Sequence, residues 1–291
     1  MRLAESISYN SSNRCSKVVS QTWRLIQTPP YSGAWNMALD ESLLKFTSEK
    51  TSLPTLRLYS WSTPTLSLGY SQPCADVDFE RLENFGWDLI RRPTGGRAIL
   101  HADEFTYSLT APVDEPAVSG SLLESYQRIS AALQKGLNIL GIATTADKEY
   151  IAHEQARDQN PVCFRVPSNF EITWNGKKLI GSAQARKSGG VLQHGSLPLY
   201  GDLARITQVL KYPSDEDRQE ASKALLDRAI TLKEVTGQEF LWESISSALL
   251  DGFSEDFGVN FIQVEPEQYE IDYAQELLDD KYGTSCWNYR I

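Results

Sequence analysis

The order in which strand-like and helix-like periodicities follow one another constrains this chain more than any single motif. Apolar residues alternate with a period of two over residues 55–61 and 65–70, the spacing of strands with a buried face, and residues 105–111 and 191–199 also read as strands. Residues 23–27, 87–90 and 259–264 read as further strands. Over residues 121–140, Leu122, Tyr126, Ile129, Leu133, Leu137 and Leu140 share one helical face, and Ser121 with Glu124 forms a capping box at its start. Met37, Leu43 and Leu44 mark a helix over 34–46, and 78–85 reads as a short one. Asn175-Gly176 between strands 170–174 and 177–183 predicts a two-residue hairpin turn. Helical patterns then dominate, over 202–210, 215–227, 237–254 and 267–281. Strands and helices that do not alternate regularly argue against a doubly wound fold. They predict an α+β fold, a mixed β-sheet core flanked by helices.

A chain of 291 residues buries a sizeable core within one domain. Residues 1–22 are polar and Ser-rich, without the apolar centre of a secretory signal, and read as a flexible N-terminal tail before a single domain at 23–291. No stretch approaches the roughly 18 apolar residues a membrane span needs. The net charge of −10 is unevenly spread: from residue 201 onward 19 acidic residues face 8 basic ones, whereas the first 200 residues are nearly balanced. Residues 161–199 hold Arg165, Lys177, Lys178, Arg186 and Lys187 against Glu171 alone. Such a patch suits an anionic ligand or an acidic protein partner better than nucleic acid. Cys15, Cys74, Cys163 and Cys286 are scattered, with no paired spacing for zinc or redox work, so a reducing cytoplasmic compartment is expected.

Three segments carry candidate chemistry. Arg91-Arg92-Pro93-Thr94-Gly95-Gly96-Arg97-Ala98-Ile99-Leu100-His101 follows a strand and contains three arginines, no acid and a glycine pair. It fits either a tight turn or a cradle for a phosphate, a carboxylate or a carrier-borne acyl group. Cys163 sits between Pro161 and Pro167, which argue against a helix, and Arg165 nearby favours its thiolate. By its residues alone Cys163 is either a small buried hydrophobe or a nucleophile. The polar connection 144–161 before it is a candidate mobile active-site loop. In Gly176-Lys177-Lys178-Leu179-Ile180-Gly181-Ser182-Ala183-Gln184, strand alternation sends Lys177 and Lys178 to opposite faces, so that one meets solvent and the other can enter a site.

Trp35-Asn36-Met37-Ala38-Leu39-Asp40, the Arg-Arg-Pro-Thr-Gly-Gly run, the Gly176–Gln184 segment and Gln193-His194-Gly195-Ser196-Leu197 resemble, in order and spacing, the lipoate–protein ligase A family. The resemblance spans about residues 23–290. It implies a biotin/lipoyl protein ligase-like catalytic domain, with no accessory C-terminal domain. Arg97 after the glycine pair, the Glu104-Phe105-Thr106-Tyr107-Ser108 run and Pro161-Val162-Cys163-Phe164 are similar to the family's cysteine-dependent octanoyltransferase branch.

That branch moves octanoyl from acyl carrier protein to a lysine of a lipoyl-domain protein such as the glycine-cleavage H protein. The resemblance implies Cys163 as nucleophile and Lys178 as the cation on the acyl carbonyl. It implies substrate contacts at Arg92, Thr94, Gly95, Gly96, Arg97, His101, Gly181, Ser182, Ala183, His194 and Gly195, with Leu68, Ile99 and Leu100 as an apolar wall. The octanoyl group arrives on the donor's phosphopantetheine already activated, so no cofactor or metal is expected. Arg91, Arg92, Arg186 and Lys187 are candidates for steering an acidic carrier. Ala102 departs from the family, which usually has Asp after the histidine; Asp103 is next in line and neither is assigned a catalytic role. An ATP-dependent ligase, an amidotransferase between lipoyl domains and a non-catalytic acyl-binding protein are the alternatives. His101 and His194 are candidates for the base that the acceptor lysine requires.

Overall fold

A computed structural model describes residues 21–147 and 171–290. The first strand, β1 (Gln21–Gln27), begins inside the segment expected to be tail. It lies near one edge of an eight-stranded sheet. Beside it run β2 (Thr55–Tyr59) and β11 (Val259–Gln263), both parallel to it. From β2 the sheet continues antiparallel through β6 (Glu104–Pro112), β10 (Gly190–Pro198), β9 (Lys177–Lys187), β8 (Glu171–Trp174) and β7 (Thr145–Asp147). The mixed sheet is therefore as expected, parallel at one side and antiparallel over the rest.

Both faces of this sheet are covered, which is why its strands are apolar on both sides. In β1, Leu25 joins a core with Leu56, Phe105, Leu109 and the inner faces of α3 (Leu122–Ile139) and α6 (Trp242–Phe257), while Ile26 joins Met37, Leu39, Leu43 and Ala274 of α1 (Gly33–Ser48) and α7 (Gln268–Leu277). Adjacent residues go to opposite cores because strand side chains alternate. The capping box of α3 forms as read, with Ser121 Oγ accepting from Glu124 N and Glu124 Oε2 accepting from Ser121 N.

A second, three-stranded sheet orders β4 (Asp88–Arg91), β3 (Thr65–Leu68) and β5 (Ile99–His101). Leu66 and Leu68 pack there against Leu82 of α2 (Phe79–Asn84), Val209 of the 3-10 segment Leu203–Val209 and Leu225 of α4 (Asp215–Leu226).

Several boundaries differ from the sequence pattern. The helix expected over 237–254 starts later, at Trp242 as α6, and before it stands a separate short helix, α5 (Leu232–Thr236), that ends at Gly237 with its φ of 73°. The helix expected over 267–281 ends at Leu277 and finishes in a wider π turn, Leu278–Tyr282, before α8 (Ser285–Asn288). Residues 99–101, read only as the end of a motif, are a strand. Of the connection at 144–161, Thr145–Asp147 is an edge strand and residues 148–161 lie outside the described residues.

Candidate active site

A cleft with about 390 Å³ of open space lies where the two sheets meet. The large sheet supplies Gly181, Ser182 and Ala183 from β9, His194, Gly195 and Ser196 from β10, and Tyr59 and Thr106 from β2 and β6. The small sheet supplies Arg92, Ile99 and His101, and Met37 and Trp61 complete the lining. Seven of the residues expected to contact substrate, Arg92, His101, Gly181, Ser182, Ala183, His194 and Gly195, thus converge on one cavity from positions far apart in sequence.

The β9–β10 ladder makes the floor. Gly195 pairs with Ser182 and Tyr107, and a Cβ there would sit 2.5 Å from Ser182 Oγ and 2.5 Å from Tyr107 Cε1, so only glycine fits without a shift. Tyr107 Oη lies 2.8 Å from Ser182 Oγ and accepts from Gln193 Nε2 at 2.9 Å. Burial pushes the Tyr107 phenol up to about 12.

Beneath the cleft runs a buried network that the sequence reading did not assign. Asp40, on α1, accepts from Arg57 Nη1 at 2.8 Å and from Tyr59 Oη at 3.0 Å. Arg57 also donates to Asn36 Oδ1 at 2.6 Å. Burial raises the Asp40 carboxyl, but Arg57 and His194 together outweigh it and hold the group below the usual carboxylate range. Burial, with the Asp40 charge adding to it, pushes the Tyr59 phenol well above its ordinary value. His194 is engaged at both nitrogens, with Thr94 Oγ1 2.7 Å from Nε2 and Asp40 Oδ2 3.5 Å from Nδ1. Burial pulls its imidazole below the ordinary histidine value, and Asp40 counters this only in part.

His101 differs. Its Nδ1 lies 2.7 Å from Glu104 Oε1, and Trp61 stacks on the ring with centroids 3.9 Å apart and planes 7° off parallel. Glu104 accepts further bonds from Thr106 Oγ1, at 2.7 Å, and from Ser196 Oγ.

Arg91 and Arg92 hold the glycine run in place. Arg92 is buried and donates to the carbonyls of Gly95 at 2.8 Å, Arg97 at 2.7 Å and Ser67 at 3.0 Å, tying the loop to β3. Arg91 is fully buried and donates to Gly69 O and Gln72 O on one side and to Arg290 O on the other. Trp287 Nε1 donates to Arg91 O and Asn288 Oδ1 accepts from Arg91 N, so the segment around α8 straps the base of the loop. Arg186 donates to Val118 O and Gly120 O before α3, and Lys187 meets Glu41 at 2.9 Å. The expectation that Arg91, Arg92 and Arg186 steer a carrier is therefore corrected: the first two are buried with donors on backbone carbonyls, and Arg186 is spent on carbonyls, Ser125 Oγ and Gln184 Oε1.

Gly95 and Gly96 are exposed at the rim rather than in the lining. Gly96 has a φ of 95°, and its carbonyl lies 1.9 Å from where a Cβ on Gly69 would be. The close approach in this loop is thus between two backbones, at a glycine the sequence reading passed over. Of the expected apolar wall, Ile99 lines the cleft, Leu68 belongs to the small core and Leu100 lines a neighbouring recess. Asp103, with φ 52°, turns the chain between β5 and β6 and pairs with Arg205 at 2.6 Å.

Lys178 is buried and its Nζ lies 2.5 Å from Glu171 Oε1, whereas Lys177 Nζ donates to Leu226 O at the surface. The two lysines part as alternation predicts, but alternation fails beyond them. Ile172 pairs with Ile180 while Thr173 pairs with Lys178, so Leu179 is an extra residue, and Lys178, Leu179 and Ile180 are all buried. Lys178 is not in the lining; it lies three residues along β9 from Gly181, about 10 Å at strand spacing. Cys163 lies outside the described residues.

Residues 32–254 match the family model described as the lipoyl protein ligase A/B catalytic domain. The chain belongs to that family. Among curated members it is 41% identical to octanoyltransferase LipM of Carboxydothermus hydrogenoformans, over 93% of this chain and 100% of that protein. It is 34% identical to octanoyltransferase LipM of Bacillus subtilis, over 93% of this chain and 99% of that protein. Among solved structures, the bipartite lipoate protein ligase of Thermoplasma acidophilum superposes with a TM-score of 0.77 at 25% identity, covering 92% of this chain and 96% of that one. A lipoate–protein ligase A bound with ATP gives 0.74 at 25% identity, over 93% and 98%. The α+β fold with a mixed sheet is thus that of the lipoyl protein ligase catalytic domain, which spans most of this chain.

Proposed function

We propose that the protein is an octanoyltransferase of lipoate biosynthesis, an acyltransferase that carries octanoyl as a thioester on Cys163 and delivers it to a lysine of a lipoyl-domain protein. The observation that carries the reading is the 41% identity to an octanoyltransferase along that protein's whole length, against 25% to the ligase structures. Cys163 adds a nucleophile for which an adenylate-forming ligase has no use.

In this scheme the donor is octanoyl on the phosphopantetheine of acyl carrier protein, and the acceptor is the glycine-cleavage H protein or a similar lipoyl domain. The Cys163 thiolate attacks the thioester carbonyl and displaces the phosphopantetheine thiol, and the acceptor amine then attacks the acyl-enzyme to give an amide. Lys178 is the cation assigned to the acyl carbonyl as it becomes negative in both steps. The backbone of Gly181 and the side chain of Ile99 flank the acyl chain in the cleft. Because a thioester is already activated, neither a nucleotide nor a metal enters the scheme.

Incubation with octanoylated acyl carrier protein and no nucleotide tests it. Intact mass is expected to show one octanoyl increment on the wild type and none on Cys163→Ala. Transfer that requires ATP and free acid overturns the scheme in favour of a ligase; transfer only from an octanoylated lipoyl domain makes the enzyme an amidotransferase.

A further inference from the structure

We infer that His101 is the general base that takes the proton from the acceptor lysine, and that Glu104 is the positioning residue that fixes the imidazole for this. The inference rests on the acyl-transfer reading and names a group which that reading leaves unassigned. An acceptor amine with an ordinary pKa of about 10.4 reaches the enzyme as an ammonium and cannot attack until it loses a proton.

Both histidines of the described chain border the cleft, but only one has a nitrogen to spare. His194 is bonded at Nδ1 and Nε2. His101 is bonded at Nδ1 alone, and its Nε2 has no hydrogen-bond partner among the described residues and is not sealed from solvent. Glu104 receives donors at both oxygens, from Thr106 and Ser196 as well as from the imidazole. Used as an acceptor, Glu104 requires the hydrogen on Nδ1, which leaves the lone pair on Nε2. Trp61 stacks on the ring, and its own Nε1 is anchored to Thr106 Oγ1 at 2.8 Å, so the ring is held in plane as well as in tautomer.

Proton accounting closes on this assignment. The docked ammonium gives one proton to His101 Nε2, which passes it to solvent. The free amine then forms the C–N bond, and as the C–S bond breaks, the second proton leaves nitrogen for the departing sulfur. The products are the amide and a cysteine thiol.

The half-reactions are separable, and so is the test. Wild type, His101→Gln, His101→Asn and Glu104→Gln are loaded from octanoylated carrier and freed of donor. Each is then discharged in a single turnover by apo lipoyl domain or by hydroxylamine, which is unprotonated at neutral pH. Whatever the His101 variants lose in loading and in reaction with hydroxylamine, they are expected to lose about 10²-fold more, or worse, in discharge to the protein amine. Glu104→Gln, whose amide can turn the tautomer round, is expected to show the same selective loss in smaller degree, about tenfold. Equal slowing with both nucleophiles, or with neither, overturns the inference and leaves the acyl-enzyme intact. Failure of the wild type to acquire an acyl group overturns the acyl-transfer reading itself, and this inference with it.

Discussion

The two walls of the cleft are held in place by different means. On the large-sheet side, Gly181 to Ala183 and His194 to Ser196 are fixed by a continuous antiparallel ladder, backed by the buried Asp40–Arg57 pair. On the small-sheet side, Thr94 to Arg97 have no ladder; two buried guanidiniums grip their carbonyls and those of Gly69 and Gln72. Register makes a stiff wall. A loop held by side-chain donors can shift as a unit.

That difference can be broken most severely at the stiff wall. Arg57→Met strands the Asp40 carboxylate without its cation and is expected to cost about 3–5 kcal/mol in denaturant unfolding. A cost near zero would show that the ladder alone suffices. The same network sets an acid limb. Asp40 and His194 both have folded values below their unfolded ones, so each supports the fold above its unfolded value and that support fades as pH falls. Stability should therefore begin to drop below about 6.5, as the unfolded chain binds a proton at His194, and drop again below about 3.9 with Asp40. Removal of the upper limb by His194→Gln, read by thermal melts across pH, checks the order.

Gly195→Ala and Gly69→Ala sharpen the contrast, the first placing a Cβ against the Ser182 and Tyr107 side chains within the ladder and the second against the Gly96 carbonyl of the loop. In the ladder the clash has nowhere to go, and Gly195→Ala is expected to cost as much as about 3 kcal/mol. At the loop, Gly69→Ala should cost nearer 1 kcal/mol and instead raise KM for the acyl donor, as the rim moves. Equal penalties at the two sites would erase the distinction. The smallest effect is expected for Arg92→Lys, which keeps the charge but loses the fork that spans Gly95 O, Arg97 O and Ser67 O. A loss of about 1 kcal/mol in denaturant unfolding is the expected result.

Most of the architecture was legible because it is written in local signals. The Ser121–Glu124 box, the Asn175-Gly176 turn with both φ values positive, and the period-two runs of β2 and β3 each declare themselves within a few residues. What escaped depends on partners distant in sequence. Arg57 sits in a strand whose other face is apolar, and nothing nearby reveals that its charge is answered by Asp40 on a helix. Glu104 was noticed only as part of a run that distinguishes one branch of the family, and its role follows from His101, Thr106 and Ser196 folding around it. Arg91 and Arg92 looked like a charged surface because positive charge is usually solvated; their burial against carbonyls is a tertiary fact. The bulge at Leu179 defeats period-two reasoning, since one extra residue reverses every orientation after it.

The strap on Arg91 also bears on how the enzyme is made. Its bonds join residues 197 positions apart, and β11, which closes the sheet edge against β1, also comes late in the chain. During synthesis the glycine loop will have left the ribosome long before the residues that anchor its base. A nascent chain can therefore build its central hairpins early, yet cannot finish the cleft between the sheets until the last helical turns arrive.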